Sequence, residues 1–117
     1  MDPIKRGITN PSMEGLLSVI EHLRTFDREV PAQVVSVLLY VSIHDPCHKQ
    51  ALEEDLGFTT ASSSRNIQWL SNKHRLNKPG WGLIEVTKDP SNRRRLLLSL
   101  TDKGRDLIKT LETKLYG

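Results

Sequence analysis

Three consecutive guanidiniums, Arg93, Arg94 and Arg95, follow the turn sequence Asp89-Pro90-Ser91-Asn92 and sit between two short β-prone runs, 83–88 and 95–100. Pro and Asn mark a turn, and the Val, Ile and Leu on either side mark a hairpin. Like charges crowded at a hairpin tip repel one another unless an anion meets them. A DNA phosphate backbone or minor groove is the expected anion for a chain of this size. A merely solvated tip is the plainer alternative.

The residues upstream favour the nucleic-acid reading. The segment KQALEEDLGFTTASSSRNIQWL, residues 49–70, reads as a helix with Leu52 and Leu56 inward, a left-handed stop at Gly57, an N-cap at Thr59 and a second helix. Two helices joined by a short Gly-containing turn make a helix-turn-helix, whose second member enters the major groove. On a helical wheel Ser63, Ile67 and Leu70 face inward, while Ala61, Arg65, Gln68, Trp69 and Asn72 face outward with Ser62 beside them. Arg65 can bond guanine bidentately and Gln68 can reach adenine. Thr60, Ser62 and Ser64 are small enough for close approach to phosphates or base edges, with helix capping as the competing role for Thr59, Thr60 and Ser62. Trp69 either packs with Trp81 beneath the following loop, the preferred reading, or contacts a base.

Charge is distributed to match. Between Leu56 and Leu100 stand eight basic residues (Arg65, Lys73, Arg75, Lys78, Lys88, Arg93, Arg94, Arg95) against two acidic ones (Glu85, Asp89). The formal total of +3 therefore conceals a basic half and an acidic remainder. That polarity is the electrostatic footprint of a nucleic-acid-binding module.

The elements that must position these groups are mostly helical. With 117 residues, 37% of them hydrophobic, one compact domain spanning 1–117 is expected. Residues 1–9 read as a loose arm. A first helix begins near Asn10 or Ser12, with Pro11 in its first turn and Met13, Leu16, Leu17, Ile20 and Leu23 on one face. A second opens at Pro31, is apolar nearly all round, and ends at Asp45-Pro46. After the helix pair come a loop at 76–82, the hairpin, and a last helix capped by Thr101 and Asp102 with Leu107, Ile108, Leu111 and Leu115 as its stripe. The fold class is mainly α with a small β-hairpin (α+β), in the order α-α-α-α-β-β-α: a helix-turn-helix followed by a wing.

Residues Leu56-Gly57-Phe58-Thr59 through Arg65 and Leu70, and then DPSNRRRLLLSLTDKGRDL at 89–107, resemble the winged-helix regulators of the MarR family. That family's wing reads D-P-x-D-R-R, followed by a strand ending in S-L-T-x-K-G. The resemblance covers about 51–111. It implies a homodimer reading a pseudo-palindromic double-stranded DNA operator, with helix 59–73 in the major groove and wing 88–95 on the minor groove or phosphates. The implied activity is transcriptional repression or, less often, activation. It places Arg93 and Arg94, with Lys88 and Arg95 beside them, on DNA. It also assigns dimerisation to 10–30 and 101–117 through Leu16, Leu17, Ile20, Leu107, Leu111 and Leu115. The chain departs from the family at Asn92, where Asp is usual, at Ser63, where an apolar residue is usual, and in the long connection SNKHRLNKPGWG.

Other chemistries find little support. His44, Asp45, Cys47 and His48 are metal-ligand types packed together, but no second Cys pair or fourth ligand accompanies them, so no metal or cofactor is assigned. Cys47 is a weak candidate for a redox sensor. No nucleophile–base pairing, glycine-rich phosphate loop or HExxH is present, and an enzyme is not expected. One cysteine, no signal-like N-terminus and no membrane-length apolar run point to a cytoplasmic protein with no membrane partner. The competing function is a protein-interaction module on the same scaffold, for instance one that binds a polymerase. A replication or excision accessory factor is a third.

Overall fold

The computed structural model describes residues 6–72 and 79–116. These hold five helices, α1 (Pro11–Leu23), α2 (Ala32–Ile43), α3 (Lys49–Leu56), α4 (Thr60–Leu70) and α5 (Asp102–Tyr116), and three strands, β1 (Cys47–His48), β2 (Ile84–Asp89) and β3 (Asn92–Leu100). This is the winged-helix order, with one addition to the expected series. The two-residue β1 pairs antiparallel with β3, so the sheet runs β1-β3-β2 rather than standing as a bare hairpin. Two residues carry no periodicity, which is why β1 was not visible in the sequence.

Local chemistry explains the element ends. Asn10 caps α1, its side chain accepting from the Met13 amide at 3.2 Å, with Pro11 in the first turn. Gly57 closes α3 at φ +70°, where a Cβ is disfavoured. Thr59 then caps α4 by accepting from the Ser62 amide at 3.1 Å. Thr101 Oγ1 accepts from the Gly104 amide at 3.0 Å while donating to the Gly82 carbonyl at 2.6 Å, so one hydroxyl caps α5 and ties it to the start of the hairpin.

The core lies where α2 meets the sheet and α4. Val34, Val37, Leu38 and Val41 pack with Leu52, Ile67, Leu70, Leu83, Ile84, Leu98 and Leu100. The far side of α2 is less buried than its composition suggests, with Leu39 and Ile43 exposed. On α1 the buried residues are Gly15, Val19 and Leu23, whereas Met13, Leu16 and Leu17 face solvent. α5 crosses α1 closely: a Cβ on Gly15 would lie 3.2 Å from the Leu115 carbonyl oxygen. Leu107 and Leu111, expected at a dimer interface, belong instead to the protomer's core. At 6% and 3% exposure they are covered by the protomer's own side chains.

Candidate nucleic-acid interface

α4, expected from the sequence to read DNA, is shorter than the sequence suggests, ending at Leu70 rather than near 73, with Ser71 as its cap. Its wheel is as expected, with Ser63, Ile67 and Leu70 buried, and Asn66 joins them. Thr60, Arg65 and Gln68 are exposed, and Ser62 and Ser64 half-buried. Of these, Ser62 is already engaged: its hydroxyl donates to Gln33 Oε1 at 3.0 Å, and the buried Asn66 Nδ2 donates to the same oxygen at 3.0 Å. Gln33, in the first turn of α2, thus fixes α4 laterally. Nothing near Gln33 in the chain announces this, because its partners stand about thirty residues away.

A buried polar network fixes α4 from beneath. Lys49 Nζ pairs with Glu53 Oε2 at 2.5 Å, and Ser63 Oγ donates to the same carboxylate and to the Thr60 carbonyl at 3.1 Å. Burial alone would raise the Glu53 carboxyl; the bonds from Lys49 and Ser63 outweigh it and hold the group below its usual range. The Ser63 that departs from the family's apolar habit is therefore a bonded member of the joint between α3 and α4.

The wing turn is tighter than the sequence implies. Asp89 pairs with Asn92, leaving only Pro90 and Ser91 between the strands, so the three arginines open β3 rather than crowd the tip. Alternation puts Arg94 on the face of Leu96 and Leu98, and Arg93 and Arg95 on the other. Lys88, opposite Leu96, shares the face of Arg94. Asn92 Oδ1 accepts from the Arg94 amide at 3.2 Å, and Asp89 Oδ1 from the Ser91 amide at 2.8 Å. All three arginines and Lys88 are exposed. Among the described residues, no carboxylate lies within ion-pair distance of Arg65, Arg93, Arg94 or Arg95. Arg94 and Arg95 border, with Lys49, Gln50 and Glu53, an open cleft of about 200 Å³ between α3 and the wing.

Of the remaining basic residues, Lys73, Arg75 and Lys78 lie outside the described residues, as do 1–5 of the arm and 76–78 of the loop. Beyond them the chain returns along α4: the Gly80, Trp81 and Gly82 amides donate to the Asn72, Trp69 and Ser71 carbonyls. Trp69 meets Trp81 edge to face at 5.8 Å, and Trp81 stacks on Phe26 at 5.0 Å, so Trp69 serves packing.

The metal-like cluster separates. Asp45 accepts from the Leu100 amide and pairs with Arg105, His48 turns to Asp89, and His44 lies against Tyr40. Among the described residues no group of three or more His, Cys, Asp or Glu side chains converges to hold a metal. Cys47 is buried in the core, and that burial, with the nearby Asp45 charge, pushes its thiol up to about 11. It stays protonated and unreactive at neutral pH. No helix among the described residues is long and apolar enough to cross a membrane.

Comparison with solved structures places this geometry. MarR aligns over 87% of this chain and 74% of its own, at a TM-score of 0.60 and 25% identity. The chain has the fold of the MarR regulators. A MarR transcriptional regulator from Methanosarcina mazei Go1 aligns over 89% of this chain and 68% of its own, at a TM-score of 0.65 and 17% identity. The transcriptional repressor CouR, solved bound to a 23-mer DNA duplex, aligns over 88% of this chain and 68% of its own, at 0.59 and 26%. No family model and no curated protein matches the chain. The MarR-like architecture thus rests on structural similarity.

Proposed function

We propose that this chain is a sequence-specific, double-stranded-DNA-binding transcriptional regulator acting as a homodimer. One observation carries the reading: on a MarR-like fold, Arg65, Lys88, Arg93, Arg94 and Arg95 project from α4 and the β2–β3 hairpin, and among the described residues no carboxylate lies within ion-pair distance of them. Thr60, Ser64, Arg65 and Gln68 read the major groove. Lys88 and Arg93 to Arg95 hold the minor groove or phosphates, and Ser62 contributes by fixing α4 against Gln33. The dimer forms through Met13, Leu16 and Leu17 of α1 with Leu115 of α5, apolar side chains between 43% and 59% exposed in the protomer. Ile20, half-buried beside them, completes that stripe. CouR, solved on a 23-mer DNA duplex, supports duplex DNA as the partner class.

The test is selection from a random duplex pool, followed by salt titrations on the enriched site. An inverted repeat should emerge, and Arg94→Ala should lower the salt slope by about one if it neutralises one phosphate. A pool with no enriched site would remove the regulatory reading and favour protein interaction on the same scaffold.

A further inference from the structure

His48 is the last residue before α3, and its backbone pairs with Leu97 of β3. Its side chain faces away from the core, on the side of Thr87 and Leu97, and reaches the far end of the wing's first strand. There His48 Nε2 lies 2.7 Å from Asp89 Oδ2, at the point where the β2–β3 register breaks. The second oxygen of the same carboxylate accepts the Ser91 amide. One carboxylate therefore holds the two-residue turn and joins it to the start of α3. The next residue, Lys49, grips Glu53 beneath Ser63 of α4. Two adjacent residues, His48 and Lys49, therefore tie the start of α3 to the wing turn on one side and to α4 on the other.

We propose that His48 is a positioning residue for the wing, and that its hold on Asp89 tightens when the imidazole gains a proton, making DNA binding through the wing pH-dependent. This rests on the DNA-binding reading above. Neutral, the imidazole donates one hydrogen bond to a carboxylate; protonated, it makes the same bond as an ion pair, and bonds of that class are about twice as strong as neutral ones. An imidazole changes charge between about pH 5 and 8. Asp89 stays ionised across that window: the bond from His48, then the Ser91 amide, hold its carboxyl below the usual range. The groups facing His48 are Asp89 from β2, Arg95 from β3, and Gln50 and Glu54 from α3, the last three bordering with it a cavity of about 140 Å³.

Anisotropy titrations on the selected duplex, at fixed ionic strength between pH 8 and 5.5, test the proposal. Wild-type affinity should rise roughly five-fold as pH falls. His44→Gln should keep that response. His48→Gln, which retains a neutral donor, should lose the pH response, as should Asp89→Asn whatever its affinity at pH 8, with no further change of response in the double variant. A wild-type pH response in His48→Gln overturns the proposal. NMR of the free protein supplies an arm that needs no DNA: the Ser91 amide should titrate with the His48 imidazole. A Ser91 amide that does not follow His48 overturns the proposal. Shared titration without duplex binding at any pH keeps the His48 coupling and removes the DNA-binding reading instead.

Discussion

Ser63 shows how much one hydroxyl can decide. A fully buried polar side chain survives in a core only when bonded, and here its partner is a carboxylate already held by an ammonium. Removing the hydroxyl leaves Glu53 short of a donor in a setting where only 15% of its side chain is exposed. Ser63→Ala should therefore cost about 1–2 kcal/mol in urea unfolding at neutral pH. The network also predicts acid sensitivity. Glu53 titrates below its unfolded value in the folded chain, so its contribution is present above that value and is lost as pH falls through the folded one. Stability should decline as pH drops from about 6 towards 3, with a shallower decline in Glu53→Gln. Denaturant midpoints across that range measure both.

Among the elements, the joints are sharper than the faces. Gly57 sits at φ +70° with open space where a Cβ would go, so Gly57→Ala should cost only backbone strain, about 1 kcal/mol. Gly104 has no such room: a Cβ there would stand 2.1 Å from the Leu83 carbonyl oxygen, and Gly104→Ala should lower the denaturant midpoint more than Gly57→Ala does. The Gly57 stop, the Thr59 cap and the hairpin were legible because each is written in adjacent residues. β1 was not, being two residues long, nor was the turn's exact width, because β-prone and arginine-rich residues overlap at 92–95. At the site, the outward face of α4 followed from helical period alone. Gln33–Asn66 and His48–Asp89 did not, because they join positions 33 and 41 residues apart and no local pattern encodes such a meeting.

Over the whole molecule, composition and charge separate into two regions. The basic groups project from α4 and β3, while the exposed apolar side chains of α1 and α5 gather where those helices cross. Leu17, 59% exposed on α1, is a surface residue of the protomer and a contact of the proposed dimer. Leu17→Glu should therefore yield a monomer in sedimentation analysis, with the protomer's circular dichroism unchanged and operator affinity reduced by at least tenfold as the second half-site is lost.

Between β3 and α5 stands a single residue, Thr101, clamped by its hydroxyl to both neighbours. The nine residues of β3 make an arm about 30 Å long from that point to the wing turn. Mechanically this is a lever with a short end in the helix and a long end carrying the arginines. A tilt of about 5° at that point would sweep the arginine end through roughly 2 Å, further than the stretch of about 1 Å that breaks a guanidinium's hydrogen bond to an anion.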